Sequence, residues 1–180
     1  MQRRIWPIWA YYAIAIVVLL IDYASKKVIS RNVELNTESI SVLGNFFLIT
    51  HTRNRGAAFS MLQDQRWFFL VVTIAVVTGI LWYLHRSFRT SRLLLLLALA
   101  VILGGAVGNF LDRALYGEVV DFLQFNFGSY TFPIFNLADT AICVGVGMVI
   151  LDTLLTMKQE NKSNGNGEQP RDASQEQHSV

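Results

Sequence analysis

Four long apolar stretches dominate this sequence and restrict the folds that it can adopt. They lie at about residues 6–21, 67–84, 93–111 and 134–155. A stretch of about 18 or more mostly apolar residues is long enough to cross the hydrocarbon core of a bilayer as a helix. Only 16% of the 180 residues are charged, whereas soluble domains usually have about a quarter. The sequence therefore predicts an all-α membrane protein with four transmembrane helices.

The first stretch has an alternative interpretation as a cleaved signal peptide, because Arg3 and Arg4 precede it and Ala24-Ser25 follows it. Its apolar part is longer than the core of a usual signal peptide, and Asp22 closes it without an Ala-x-Ala cleavage site. We therefore expect a retained signal-anchor helix.

The distribution of basic residues predicts the orientation of the helices. Four spans place both termini on one face, together with the turn between the second and third spans. The basic residues of this face are Arg3, Arg4, Arg86, Arg89, Arg92, Lys158 and Lys162. The positive-inside rule assigns this face to the cytoplasm. The first outer loop opposes that assignment with six basic residues, Lys26, Lys27, Arg31, Arg53, Arg55 and Arg66. Arginines in short loops have the stronger effect and the second outer loop is net acidic, so we expect both termini inside.

The two outer loops, residues 23–66 and 112–133, contain signals for β structure. In the first loop, two β-prone runs flank Gly44-Asn45, a pattern typical of a β-hairpin. The second loop has a weaker hairpin signal around Gly128-Ser129. A small β-platform is therefore predicted to cover the outer ends of the helices.

Residues 159–180 form a different kind of segment from the membrane domain, which we place at residues 1–158. They are rich in Asn, Gly, Gln, Glu and Ser. Such a composition buries too little apolar surface to fold alone, and it predicts a disordered cytoplasmic tail.

Two aspartates, Asp121 and Asp139, lie in apolar sequence at the edges of predicted spans. A carboxylate at the margin of a bilayer costs a few kcal/mol unless it has a partner or a function. If the two share a site, like-charge repulsion leaves one protonated acid beside one ionised base near neutral pH. Such a pair can activate water against an amide. For each aspartate alone, a structural pairing role is the alternative.

Other polar residues lie near the same predicted edge. Asn109, Asp112 and Arg113 are spaced i, i+3 and i+4, so they share one helical face. Asn136 lies three residues before Asp139. An interfacial pair of Asp112 with Arg113 that anchors the helix end is an equally good interpretation of those two residues. Together with Asn109 and Asn136, however, the two aspartates favour a functional site.

Several polar or small residues have simpler interpretations. Asp22 and Lys26 are spaced i, i+4 and predict an ion pair at a helix end. Gly104 and Gly108 predict a face for close helix packing. Asp152 is expected to be interfacial, at the cytoplasmic end of the fourth span.

Other classes of function fit the composition poorly. A net charge of +2 without a basic stripe argues against nucleic-acid binding. The three histidines are scattered and no His-Glu-x-x-His motif occurs, which argues against a metal hydrolase. We expect neither a metal nor a cofactor. The single cysteine, Cys143, lies in an apolar run and is expected to be a packing residue.

Five sequence blocks, taken in order, resemble the lipoprotein signal peptidase (signal peptidase II) family. They are Asp22 with Lys26, Asn54-Arg55-Gly56-Ala57-Ala58-Phe59, the run from Gly104 to Arg113, Val119-Val120-Asp121-Phe122, and Phe135-Asn136-Leu137-Ala138-Asp139. The resemblance covers about residues 6–157 and leaves the polar tail outside.

The resemblance implies a bacterial inner-membrane aspartyl endopeptidase with a small extracytoplasmic β-cradle and a short surface helix. Its catalytic aspartates would be Asp121 and Asp139, at the extracytoplasmic edge of the membrane. The supporting or substrate-binding residues would be Asp22, Asn54, Asn109, Asp112, Arg113 and Asn136. The substrates would be prolipoproteins, cleaved just before a diacylglyceryl-modified cysteine. The expected partners are these substrates, bilayer lipids and globomycin-type inhibitors, and we expect a monomer.

Two other functions use the same features. Paired membrane carboxylates also occur in transporters and proton relays, which distribute them across the membrane depth. In this sequence Asp112, Asp121 and Asp139 crowd one predicted end. A non-enzymatic scaffold that binds a partner through the β-platform is the third possibility.

Overall fold

The computed structural model describes residues 6–37, 39–57 and 61–165, and residues 162–165 by their backbone alone. The elements in this part of the chain are α1 (Ile8–Asn32), β1 (Ser39–Leu43), β2 (Phe47–Asn54), α2 (Arg66–Ser87), α3 (Leu93–Tyr116), β3 (Val119–Phe127), β4 (Tyr130–Thr131) and α4 (Leu137–Gly165). Among the described residues, four helices are long and apolar enough to cross a membrane. The predicted four-helix membrane protein is therefore confirmed.

All four helices end after the spans predicted from apolar runs, and α1 and α4 extend furthest. Helix α1 continues through Asn32 because Asp22 and Lys26 interrupt the apolar run without ending the helix. Their side chains form the predicted ion pair, with Lys26 Nζ 2.7 Å from Asp22 Oδ2. Helix α4 runs to Gly165, past residue 159, where the disordered tail was predicted to begin. Residues 166–180, the rest of that predicted tail, lie outside the described residues.

Helix α3 is the centre of the bundle and packs against the other three helices. Its contact with α1 depends on the small-residue face predicted from Gly104 and Gly108. A Cβ atom at Gly104 would lie 2.5 Å from the carbonyl oxygen of Ala15, and one at Gly108 would lie 2.6 Å from Asp22 Oδ2. Only glycine therefore allows α1 to approach this closely, and Asp22 in particular needs Gly108.

The four strands form a small antiparallel sheet in the order β1-β2-β3-β4. Both predicted hairpins are present, and their turns use Gly44 and Gly128 at positive φ, 51° and 64°. The sheet is attached to α1 through a small apolar core of Ile29, Val33 and Phe122. The predicted short surface helix is not among the elements of the described residues, and it stays a prediction.

Candidate active site

The chain folds back on itself between Asp121 and Asp139 and brings both to one site. Asp121 lies in β3 and is only 2% exposed, while Asp139 is half-buried in the first turn of α4. Between them, Phe135 makes backbone hydrogen bonds with Leu123 in both directions, 2.8 and 3.2 Å long. This bridge turns the segment back along β3, so that α4 begins beside Asp121.

Asn136 contacts both aspartates and is completely buried. Its side-chain Nδ2 donates to Asp121 Oδ1 at 2.7 Å. Its backbone N–H donates to Asp139 Oδ2 at 3.3 Å, and its Oδ1 accepts from the backbone N–H of Asp139 at 2.9 Å. One residue thus holds two carboxylates that come from different elements.

Two further asparagines each donate to one of the two carboxylates, at the oxygen that Asn136 does not contact. Asn54 Nδ2 lies 3.0 Å from Asp121 Oδ2, and Asn109 Nδ2 lies 2.7 Å from Asp139 Oδ1. These hydrogen bonds to the two carboxylates therefore come from neutral amides and a backbone N–H. Such donors orient a carboxylate without pairing its charge with a cation.

Asn54, Asn109 and Asn136 form an asparagine shell around the two carboxylates. A buried ion cluster of Asp22, Lys26 and Asp112 lies behind this shell. Lys26 Nζ is within 2.8 Å of Asp22 Oδ2 and Asp112 Oδ2, and 2.9 Å from Asn109 Oδ1. The contact with Asp112 is an ion pair by distance but lacks the angle of a hydrogen bond. Asp22 Oδ1 also accepts from the backbone N–H of Ala138 at 2.9 Å. Asp22 therefore caps the start of α4 and does not touch either of the two aspartates at the site.

Arg113 holds the loop that follows β2. Its Nη2 donates to the carbonyl oxygen of Gly56 at 3.0 Å, and its guanidinium lies over the ring of Phe69, 4.7 Å from the centroid. Within this loop, the backbone N–H of Gly56 donates to Asn54 Oδ1 at 2.8 Å. The fold thus fixes Asn54 with its Nδ2 towards Asp121. Ala58 and Phe59, which belong to the same sequence block, lie outside the described residues.

The end of β2 is also tied to the start of β3 by charge. Arg53 and Arg55 both contact Glu118, and the hydrogen bond from Arg53 is the main reason that the pKa of Glu118 is lowered. Because Asn54 lies between the two arginines, this cluster restricts the movement of the strand that carries it.

The electrostatic environment favours protonated Asp121. Burial first, and the negative charge of Asp139 second, raise the pKa of Asp121 to about 7. Hydrogen bonds from Asn54 and Asn136 and the charge of Lys26 act in the opposite direction. A carboxyl group with a pKa near neutral can donate or accept a proton at physiological pH.

Two cavities meet at Asp121. The larger cavity, about 690 Å³, lies between α2, α3 and α4 and has mostly apolar walls, which include Val76, Ile102 and Val144. The polar residues that line it are at one end and are Asn54, Asn109, Arg113, Asp121 and Asp139. The smaller, about 470 Å³, lies on the side of the sheet and is lined by more polar residues, including Thr52, Arg53, Asn54, Gln63 and Thr131. An elongated molecule in both cavities would pass directly beside Asp121.

The structure therefore brings together most of the residues selected from sequence, but in three different positions. Asp121, Asp139, Asn54, Asn109 and Arg113 line the larger cavity, and Asn136 lies just behind the two aspartates. Asp22 and Asp112 are in the ion cluster. The alternative pairing of Asp112 with Arg113 is not what the structure shows, because Asp112 pairs with Lys26 and Arg113 with Gly56.

The sequence interpretation did not foresee the contact between Lys26 and Asn109. The i, i+4 spacing predicts only the pair of Lys26 with Asp22. A signal for the longer contact existed, because the polar faces of α1 and α3 both occur near the same predicted membrane edge. His51, one of the three scattered histidines, is 3% exposed, and its Nδ1 lies 2.9 Å from the carbonyl oxygen of Val33.

Comparisons with known proteins agree with this fold. The sequence profile of the family described as signal peptidase (SPase) II matches residues 14–155. The lipoprotein signal peptidase of Bacillus pumilus (strain SAFR-032) is 46% identical over 153 residues, which cover 85% of this chain and 97% of that protein.

Two solved structures, both described as bacterial membrane enzymes, are similar over nearly their whole length. One has a TM-score of 0.77 and 30% identity, covering 96% of this chain and 99% of the other. The second has a TM-score of 0.74 and 33% identity, covering 86% and 98%. With a family match across most of its length, the chain belongs to the signal peptidase II family and is a multi-pass bacterial membrane protease.

Proposed function

We propose that this chain is an aspartic endopeptidase that removes signal peptides from diacylglyceryl-modified prolipoproteins, cutting immediately before the modified cysteine. The family match and the name of the Bacillus pumilus relative support the substrate class. The observation that carries the catalytic part is the position of Asn136, which hydrogen-bonds Asp121 and Asp139 at the end of a large apolar cavity.

The proposed chemistry is general acid–base hydrolysis by the two aspartates. One carboxylate takes a proton from water, whose oxygen attacks the carbonyl carbon of the scissile bond, while the other, protonated, donates a hydrogen bond to the carbonyl oxygen. The tetrahedral intermediate collapses when a proton passes to the amide nitrogen and the C–N bond breaks. The mechanism requires the pair to share one proton, and the apparent pKa values of such a pair belong to it as a unit.

The two cavities suit the two halves of such a substrate. The apolar part of a signal peptide fits the larger cavity, whose walls of α2, α3 and α4 are mostly apolar. The polypeptide after the cleavage site would leave through the smaller, more polar cavity beside the sheet. Both cavities include Asn54, Asp121 and Phe132 among their lining residues, so the bond between the two halves would lie at Asp121.

We assign the protein to the bacterial cytoplasmic membrane, with both termini inside and the two aspartates at the extracytoplasmic edge. The site is formed at one end of the bundle, by the sheet, the last turns of α3 and the first turn of α4. The opposite end carries the arginine-rich turn after α2, which the positive-inside rule assigns to the cytoplasm. A monomer contains all the site residues named above, and globomycin-type cyclic peptides are expected to compete for the larger cavity.

The test is a cleavage assay with the full-length purified protein in detergent–lipid micelles. A diacylglyceryl-modified prolipoprotein and the same precursor without the lipid are incubated separately, and mass spectrometry locates any cut. We expect cleavage of the modified precursor immediately before the lipidated cysteine. No cleavage, cleavage elsewhere, or equal cleavage of the unmodified precursor would contradict the proposal.

A further inference from the structure

Lys26 is the one buried lysine of the described residues that contacts the asparagine shell of the site. It is 5% exposed, and its Nζ is surrounded by three oxygens, from Asp22, Asp112 and Asn109. It is not among the residues that line either of the two cavities. Apart from the long-range effect of its charge, Lys26 can therefore act on a bound substrate only through these three residues.

The contact with Lys26 decides the orientation of the Asn109 side-chain amide. An ammonium group has donors only, so the amide atom 2.9 Å from Lys26 Nζ must be the oxygen. The nitrogen of the same amide then faces Asp139 Oδ1, at 2.7 Å. The flipped amide would place N–H groups against the ammonium and an oxygen against the carboxylate, which is unfavourable on both sides.

The same orientation extends to the second aspartate. Asn109 Oδ1 also accepts from Asn136 Nδ2, at 3.3 Å, and this Nδ2 donates to Asp121 Oδ1 at 2.7 Å. With the oxygen of Asn109 fixed, Asn136 must present its own nitrogen to both neighbours. Its Oδ1 is then left for the backbone N–H of Asp139. A single donor-only group at the end of this chain of amides thus determines how both carboxylates are held.

We propose that Lys26 is a positioning residue of the reaction, which orients Asn109 and, through it, Asn136 for the two aspartates. This inference rests on the proposed function. The competing explanation is that Lys26 only neutralises Asp22 and Asp112 and so holds α1 against α3. The two explanations predict different kcat values for a variant that lacks the Lys26 donor but keeps the net charge of the ion cluster.

Two variants separate these explanations. Lys26→Met removes the donor and leaves two carboxylates without a cation. Lys26→Met combined with Asp112→Asn also lacks the donor but removes one charge of each sign. We expect kcat to fall roughly 100-fold in both variants, with KM changed by less than about threefold, because Lys26 lines neither cavity. Lys27→Met, at the exposed neighbouring position of α1, is the control and should keep wild-type kcat.

The pH profile separates the effect of the Lys26 charge from the effect of its hydrogen bond to Asn109. The charged groups that face Lys26 are Asp22 and Asp112. Those that face Asp121 are Asp139 and Arg113. These residues together set the charge near the site. Loss of the Lys26 charge alone raises the pKa of Asp121 and moves the activity profile to higher pH. The charge-balanced double variant should return the profile towards the wild type while kcat stays low.

The proposal is overturned if Lys26→Met keeps wild-type kcat, or if the double variant recovers it together with the pH profile. Thermal unfolding of each variant shows whether it is folded, and the double variant keeps the test open where Lys26→Met alone does not fold. Failure of the proposed function has a different result, since the wild-type protein would then not cleave the modified precursor at all.

Discussion

The two ends of the helix bundle each contain a buried aspartate, and the surroundings of the two differ. Asp121 at one end is 2% exposed and Asp152 at the other is 7% exposed. Asp152 accepts from Arg92, whose Nη1 lies 3.4 Å from Oδ2 and 3.0 Å from the backbone oxygen. Asp121 accepts from the neutral amides of Asn54 and Asn136 and faces two cavities.

This difference shows that burial of a carboxylate does not by itself indicate a site. A direct arginine partner satisfies the carboxylate of an aspartate, and such a pair serves helix packing. Amide donors orient the carboxylate but leave its charge unpaired, so burial and a second carboxylate can raise its pKa towards neutral. Lys26 contacts the network through Asn109 and makes no hydrogen bond to Asp121 or Asp139 in the described residues.

The largest expected effect is on turnover, from removing either site carboxylate. Asp121→Asn and Asp139→Asn should each lower cleavage of a lipidated prolipoprotein by at least about 10³-fold, since each removes a proton donor or acceptor of the reaction. Asp152→Asn makes the same chemical change at the other end and is the matched control. Near-wild-type turnover by either site variant, in protein that inserts and folds, would show that Asp121 and Asp139 do not form the catalytic pair.

The next effect concerns the residue that holds the pair. Asn136→Ala should lower kcat roughly 100-fold. Asp121 loses the hydrogen bond from the Asn136 side chain, and the backbone N–H of Asp139 loses its acceptor, so both carboxylates can rotate. The substitution should also lower the free energy of unfolding by about 1–3 kcal/mol, because buried partners are left without hydrogen bonds. Steady-state cleavage and thermal unfolding measure the two effects.

Asn126→Ala provides the comparison for that experiment. Asn126 donates to the backbone oxygen of Asn45 at 2.9 Å, far along the sheet from the aspartates. Its loss should leave kcat unchanged. If Asn136→Ala and Asn126→Ala have equal effects on kcat, Asn136 has no special relation to the pair.

A third expectation concerns the pH dependence of stability. The pKa of Asp121 is raised from 3.8 to about 7 in the folded protein, so between these values the folded state binds more protons than the unfolded state. Stability contributed by protonated Asp121 is therefore present at low pH and is lost as the pH rises from about 4 to 7. Asp121→Asn removes this dependence. The difference in Tm between variant and wild type should shift in favour of the variant from pH 5 to pH 8, and a constant difference would contradict the raised pKa.

The existence of the four helices was predictable because transfer of an apolar run into a bilayer depends mainly on composition. The helix ends were not, because Asp22 and Lys26 satisfy each other and also contact α3, which an apolar run does not reveal. Both hairpins were predictable from Gly44-Asn45 and Gly128-Ser129, since their turns require positive φ. The predicted start of the tail at residue 159 fell within a helix.

The site was predictable in its residue types but not in its connections. Apolar surroundings singled out Asp121 and Asp139, and helical spacing placed Asn109, Asp112 and Arg113 on one face. The separation of that face into two groups depends on how closely α1 packs on α3 at Gly108. This contact brings Lys26 to Asn109 and Asp112, and it arises from tertiary packing that local spacing does not encode. The two cavities likewise depend on how α2 and α4 flank α3.

The smallest effect is expected at the opposite end of the bundle. Asp152→Asn should leave kcat and KM unchanged, because Asp152 contacts Arg92 and lines neither of the two cavities. Arg92 is 37% exposed at its side chain, so solvent screens the pair and its loss should cost no more than about 1 kcal/mol of unfolding free energy. Arg92→Gln removes the other partner and should give the same small loss of Tm. A large fall in turnover from either variant would mean that the two ends are coupled through α4. Asp152 could then no longer be contrasted with Asp121 as a purely structural aspartate.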